Sequence, residues 1–257
     1  MDLGLEGKVA LVTGAGSQIG FGKAIALTLA KEGCDVIVND VNIEGAEKTA
    51  AEVRTLGRKA IAVKASVASS SEVNEMVKTA LAEFGRIDIL VNNAGVGHGG
   101  GPLTETKEED WDTLININLK GPVNCSKAVL PQMLSRRSGK IINIASGVGK
   151  SGMPNNSVYA ATKAAVIGFT KSLAAEVAPS GVNVNCVAPG LSATNFIRGQ
   201  DGNLRDPNML ERVKATIPLG RTTEPQDIAN MVTYLASDVA SDIVGQPFSV
   251  EGGRFMM

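Results

Sequence analysis

Short apolar, mostly β-branched runs recur along this chain and alternate with longer helical stretches, which narrows the possible folds more than any other feature. The runs are Val9–Val12, Val36–Val38, Ala60–Val63, Ile87–Val91, Lys140–Ile144, Val182–Val187 and Pro247–Val250. Between them the pattern predicts helices over Gly22–Glu32, Glu44–Leu56, Ser70–Phe84, Glu108–Ser135, Ser157–Ala178 and Pro225–Ala236. The runs are apolar throughout rather than at every second residue. Such strands belong to a parallel sheet covered by helices on both faces. The expectation is a single doubly wound α/β domain, residues 1–257, with about seven strands. The segment 191–216 is long and rich in Gly, Asn and Asp, and is expected to form an irregular lid.

In an open parallel sheet, ligands bind beyond the carboxyl ends of the strands, where successive crossovers diverge. Small or polar residues fall at those ends here. Thr13-Gly14 follow the first strand, Asp40 the second, Asn92-Asn93-Ala94-Gly95 the fourth, Ser146 the fifth and Pro189-Gly190 the sixth.

Tyr159 and Lys163 are four residues apart on a predicted helix, so they share a face. An ammonium beside a phenol favours the phenolate. At an effective dielectric of ~20, unit charges ~4 Å apart interact by ~4 kcal/mol, or ~3 pKa units. A tyrosine shifted that far exchanges a proton with an alcohol or ketone near neutral pH. By itself Tyr-x-x-x-Lys is common on helix surfaces; the strand-end residues give it weight.

Composition removes other classes. Formal charge is -1, from 25 basic and 26 acidic residues, so no global field recruits nucleic acid or a membrane. Cys34, Cys125 and Cys186 are odd in number and far apart, which speaks against a disulfide framework or a metal site. No secretory signal pattern and no membrane-length apolar run is present, so a soluble cytoplasmic protein is expected.

Taken in order, the Thr13-Gly14 turn, Asn92-Asn93-Ala94-Gly95, Asn118, Ser146, Tyr159 to Lys163, and Pro189-Gly190 with Thr194 resemble the short-chain dehydrogenase/reductase family. The resemblance spans essentially the whole chain and implies a Rossmann-type fold. It further implies that Tyr159 transfers the proton and Ser146 hydrogen-bonds the substrate oxygen. Lys163 would lower the tyrosine pKa and hold the nicotinamide ribose, and Asn118 would support a water linking Lys163 to solvent.

The first glycine loop departs from the family form, Thr-Gly, three residues, Gly-x-Gly. Here five residues, Ala15 to Ile19, separate Thr13-Gly14 from Gly20-Phe21-Gly22. Placing the two extra residues inside the loop lets Lys23-Ala24-Ile25-Ala26 continue directly as helix. Glycines let backbone approach a pyrophosphate, and the helix N-terminus offers N–H groups and dipole. A longer loop also occurs in the family's enoyl-thioester reductases, but these space tyrosine and lysine more widely, so the present spacing favours alcohol–ketone chemistry.

Asp40, twenty residues after Gly20, is placed to accept the adenosine ribose hydroxyls and to repel a 2′-phosphate. The expected cofactor is therefore NAD. The implied cofactor-binding set is Gly14, Ser17, Gln18, Gly20, Phe21, Gly22, Asp40, Ser66, Val67, Asn93, Ala94, Gly95, Tyr159, Lys163, Pro189, Gly190 and Thr194. Ser66-Val67 stand where the family commonly has Asp-Val beside the adenine. The substrate side is expected to comprise Ser146, Val148, Met153, Tyr159, Phe196 and the only histidine, His98, with Leu191 and Ile197 nearby.

The leading expectation is NAD-linked interconversion of a secondary alcohol and a ketone. One alternative is an NADPH-dependent 3-oxoacyl-thioester reductase; another, of a different class, is a non-catalytic dinucleotide-sensing protein. Long helices at Glu108–Ser135 and Ser157–Ala178, and an apolar tail Phe255-Met256-Met257 expected against a neighbour, predict a homotetramer.

Overall fold

The computed structural model describes residues 2–97, 100–192 and 208–256. Its strands are β1 (Val9–Thr13), β2 (Asp35–Asp40), β3 (Ala60–Lys64), β4 (Ile89–Asn92), β5 (Gly139–Ile144), β6 (Val182–Pro189) and β7 (Pro247–Val250). They form one sheet in the order β3-β2-β1-β4-β5-β6-β7, and every adjacent pair is parallel. The crossovers diverge between β1 and β4, the switch point at which such sheets bind ligands.

Both faces are covered, as the continuously apolar strands require. The first face packs α1 (Phe21–Lys31), α2 (Ile43–Thr55) and α9 (Pro225–Ala236) on Ala10, Val12, Val36, Val38, Val91 and Ile142. The second packs α3 (Ser70–Phe84), α5 (Gly121–Arg136) and α7 (Ser157–Val177) on Leu11, Ile37, Leu90, Ile141 and Val184. Successive residues of one strand thus supply opposite cores, and each fully buried Leu, Ile or Val adds ~1.5–3 kcal/mol of hydrophobic stabilisation. Local signals fix the helix ends. The Asn42 side chain accepts the Gly45 amide at 3.2 Å ahead of α2, and α3 stops at Gly85, whose φ of 74 suits a left-handed cap.

Two expectations change. The stretch 108–135 is not one helix: α4 (Glu108–Ile115) passes through a π-helical turn, Asn116–Lys120, into α5. The wider turn directs the Asn118 side chain to the chain leaving β4, and Pro122, which has no amide hydrogen to donate, stands in the first turn of α5. Within 191–216, the described part is not uniformly irregular, because α8 (Met209–Lys214) forms there.

Asp88 ties the opposite edge of the sheet together just before β4. Its Oδ2 accepts the Val9 amide at 2.9 Å and Arg86 Nε at 2.7 Å, and its Oδ1 accepts Arg136 Nη1 at 2.8 Å. Burial acts to raise its pKa, but these three donors prevail and hold it below the usual carboxylate value.

Candidate active site

The strand ends at the switch point are locked to one another before any ligand is considered. Thr13 Oγ1 accepts the amides of Asn93 and Ala94 at 3.1 and 3.0 Å. Asn93 Nδ2 returns two bonds, to the carbonyls of Thr13 at 2.8 Å and Gly14 at 3.0 Å. Gly14 has φ +65, and a Cβ there would lie 2.7 Å from Ala94 Cα, so only glycine fits. The first loop therefore rests directly on the Asn92-Asn93-Ala94-Gly95 segment.

The enlarged glycine loop is held by side chains from both its ends. Asp40 Oδ2 accepts the Gly16 amide at 2.8 Å, while its Oδ1 accepts the Asn42 amide at 2.9 Å. Gln18 Nε2 donates to the carbonyls of Gly16 and Gly45 at 3.0 and 3.1 Å, and its Oε1 accepts Lys23 Nζ at 2.9 Å. Lys23 in turn pairs with Glu52 at 2.7 Å. Helix α1 begins at Phe21 with Gly20 as its N-cap, which places the extra residues inside the loop. No side chain caps this N-terminus, so its first-turn amides have no side-chain partner at the cap.

Helix α7 carries Tyr159 and Lys163 alongside the end of β5, from which Ser146 projects. Ser146 and Tyr159 line the same cavity, with Ser146 near enough to the phenol to favour its ionised form. Lys163 is buried, and its Nζ donates to the carbonyl of Ile144 at 3.0 Å and lies 5.9 Å from the centre of the Tyr159 ring. Burial pushes the Tyr159 phenol up to about 12, with Ser146 acting the other way. Burial also brings the Lys163 ammonium down to about 8. The ammonium is engaged by the Ile144 carbonyl, and loss of water favours the neutral form of each group.

Asn118 is tied to the chain leaving β4. Its Oδ1 accepts the Val96 amide at 2.9 Å, and its Nδ2 donates to the Val96 carbonyl at 2.9 Å. The side chain thus braces the segment after β4 like a paired strand residue. A Cβ on Gly95 would lie 3.2 Å from Asn118 Oδ1 and 3.3 Å from Lys163 Nζ, so a side chain at 95 would crowd both groups.

These elements enclose a cavity of about 770 Å³. Of the expected cofactor residues, Gly14, Ser17, Gly20, Phe21, Asp40, Ser66, Val67, Asn93, Ala94, Gly95, Tyr159, Lys163, Pro189 and Gly190 line it. Gln18 and Gly22 do not. Gln18 is turned away to clamp the loop onto α2, and Gly22 packs so closely on the Gly14 carbonyl and Asn93 Nδ2 that it has no room for a side chain. Ser146, Val148, Met153, Tyr159 and Leu191 line the other end. His98, Thr194, Phe196 and Ile197 lie outside the described residues. A dinucleotide fits the residues present: a tight glycine turn, an uncapped helix N-terminus and a strand-end carboxylate follow one another along a single cavity.

Sequence reasoning missed Val41, Ile117, Asn156, Ser192, Val213, Arg254 and Phe255, which also line the cavity. It placed Phe255 against a neighbouring subunit, but the ring packs on the chain's own Gly147, where a Cβ would come within 2.7 Å of it. Among the described residues no group of His, Cys, Asp or Glu is arranged to hold a metal, and no helix is long and apolar enough to cross a membrane.

Comparison with known proteins agrees with this geometry. A family model described as enoyl-(acyl carrier protein) reductase matches residues 14–254. The chain is 46% identical over 250 residues to the 3-oxoacyl-[acyl-carrier-protein] reductase of Staphylococcus epidermidis, covering 97% of this chain and 99% of that one. It superposes on a 3-ketoacyl-(acyl-carrier-protein) reductase from Brucella melitensis complexed with NADH, with TM-score 0.90 and 35% identity, covering 98% of this chain and 100% of the other. It is similar also to a gluconate 5-dehydrogenase from Burkholderia cenocepacia in complex with NADP and tartrate, with TM-score 0.91, 34% identity and coverage of 98% and 97%.

Proposed function

The chain belongs to the short-chain dehydrogenase/reductase family of oxidoreductases, and on that premise we propose that it interconverts a 3-oxoacyl thioester and its 3-hydroxyacyl counterpart with NAD(H). The observation that carries the chemistry is the placing of Ser146, Tyr159 and Lys163 together on the wall of one cavity that Asp40 also lines. The thioester is favoured over a simple secondary alcohol by relatives such as that of S. epidermidis, whose name states this substrate. NAD is favoured over NADP by the carboxylate of Asp40 at the end of β2, which would repel a 2′-phosphate. The enoyl description of the matching family model fits less well, because Tyr159 and Lys163 have the spacing of alcohol–ketone enzymes.

When bound, the nicotinamide ring supplies the hydride acceptor or donor. The chain's own residues handle the oxygen and its proton. The Ser146 hydroxyl hydrogen-bonds the substrate carbonyl oxygen and holds it beside Tyr159. In reduction the Tyr159 O–H delivers its proton to that oxygen as the carbon becomes an alcohol; in oxidation the phenolate takes the proton back. Lys163 stabilises the phenolate across the helix turn. Asp40, Ser66, Val67 and Asn93 would hold the dinucleotide, and the α1 N-terminus would offer its amides to the phosphates. The assembly we assign is a homotetramer; light scattering showing a stable monomer at micromolar concentration would exclude it.

The test is a comparison of kcat/KM for a 3-oxobutanoyl thioester and for a panel of simple ketones, each with NADH and NADPH. Preference for the thioester with NADH is expected. Turnover of simple ketones alone would return the substrate to a plain secondary alcohol, and a preference for NADPH would overturn the role given to Asp40.

A further inference from the structure

Arg254 is the one cation besides Lys163 among the described residues lining the cavity, and the proposed chemistry makes no use of it. Its guanidinium carbon lies 5.0 Å from the centre of the Phe255 ring, a cation–π contact that holds the fork against the cavity wall. The same ring rests on Gly147, the residue after Ser146. A short chain of contacts therefore links Gly147, next to the group that would hold the substrate oxygen, to a positive charge on the same cavity.

That charge has no carboxylate partner within ion-pair distance among the described residues. The nearby Glu251 is buried, and its Oε2 accepts the Phe255 amide at 2.6 Å instead. A second polar group lining the same cavity is also unspent. Ser192 is 6% exposed, and its hydroxyl has no hydrogen-bond partner among the described residues. A buried donor without a partner costs ~1–3 kcal/mol unless a ligand satisfies it. The apolar walls formed by Val148, Met153, Leu191, Val213 and Phe255 would strengthen any charge-assisted bond made there.

We infer that Arg254 is a specificity-determining residue that binds a carboxylate carried by the ketone substrate, with Ser192 available as a further donor. Guanidinium presents paired N–H donors in a planar fork that matches a carboxylate. The preferred substrate is then an oxo acid, or a 3-oxoacyl thioester whose chain ends in a carboxylate. This rests on the reading that the ketone sits beside Ser146 and Tyr159.

The experiment uses levulinate, its next two longer homologues, and their methyl esters as probes. Each is titrated into the NAD-loaded wild-type protein, Arg254→Met and Arg254→Lys. The wild type is expected to bind at least one acid tighter than its ester by roughly 10-fold or more, the range for a charge-assisted hydrogen bond. That ratio should collapse towards unity in Arg254→Met and recover in part in Arg254→Lys. An equal ratio in wild type and Arg254→Met overturns the inference, as does binding of neither probe. NAD affinity measured on each variant reports whether it is folded. Turnover of free oxo acids and of carboxylate-ended 3-oxoacyl thioesters then separates the two sources of the carboxylate. Thioester turnover without any preference for acid over ester would sink the inference and leave the proposed activity standing; a preference for acids without turnover would do the reverse.

Discussion

Lys163 Nζ sits 3.0 Å from the carbonyl oxygen of Ile144, the last residue of β5, while the Tyr159 ring centre is 5.9 Å away. The buried ammonium is held by the backbone of the strand that presents Ser146. Burial shifts both members of the helical Tyr–Lys pair towards their neutral forms, the phenol up to about 12 and the ammonium down to about 8.

One consequence concerns stability. Lys163 carries a charge below about pH 8 in the folded state but below about 10.5 when unfolded. A depressed lysine pKa means the unfolded state binds the proton more strongly, so stability falls as pH drops from about 10.5 to about 8 and is level below that. Lys163→Met should therefore leave the cofactor-free protein as stable as wild type or more stable at pH 7, with the gap narrowing above pH 8. Thermal melts across that range check this, and a large loss of Tm at pH 7 would contradict it. The same variant should lose NAD binding.

Tyr159→Phe keeps the ring and its packing while removing the proton donor. Turnover should drop by at least ~10²-fold with NAD affinity nearly unchanged. Steady-state kinetics together with nucleotide titration separate these effects; near-wild-type turnover would falsify the role of Tyr159.

Asp40→Ala removes the acceptors for the ribose and also releases the Gly16 amide, bonded at 2.8 Å. Loss of charge-assisted hydrogen bonds costs ~1.5–3 kcal/mol each, so kcat/KM with NAD should fall by roughly tenfold or more. Relief of phosphate repulsion should narrow the preference for NAD without reversing it, and an arginine at Val41 should be needed for reversal. Measuring both cofactors on wild type, Asp40→Ala and Val41→Arg in the Asp40→Ala background decides the matter.

Gln18→Ala tests the loop clamp. The side chain spans Gly16, Gly45 and Lys23 with three bonds of 2.9 to 3.1 Å yet does not line the cavity. KM for NAD should rise severalfold while kcat at saturating NAD stays close to wild type. An equal fall in kcat would show that the loop does more than place the cofactor.

Asp88→Asn should destabilise the fold by ~1–3 kcal/mol, because the carboxylate accepts from Val9, Arg86 and Arg136 together. Since its folded pKa lies below the ordinary value, the stability it gives is complete above about pH 4 and is lost as pH falls through the folded value. Urea melts of wild type and variant should converge in that acidic window. A constant difference at all pH values would refute the assignment.

The strands, the helix α7 and the ends at which Gly14, Asp40, Asn93, Ser146 and Tyr159 stand were legible in sequence, because each depends on local periodicity and on the geometry of parallel crossovers. Continuous apolar runs are buried on both faces whatever their partners, and a strand-end residue faces the same edge of the sheet. The π-turn at Asn118 was not legible, since it follows from pairing that side chain with Val96, a residue 22 positions away. The direction of Gln18 was equally hidden, because it depends on α2 lying beside the loop. So was the state of Lys163: spacing alone put it next to Tyr159, but burial and the Ile144 carbonyl decide where its charge goes. Arg254 and Phe255 reach the cavity only because β7 pairs with β6 and returns the chain to Gly147. Periodicity is a property of neighbours in the chain, whereas desolvation and hydrogen-bond partners belong to neighbours in space, and only folding brings those together.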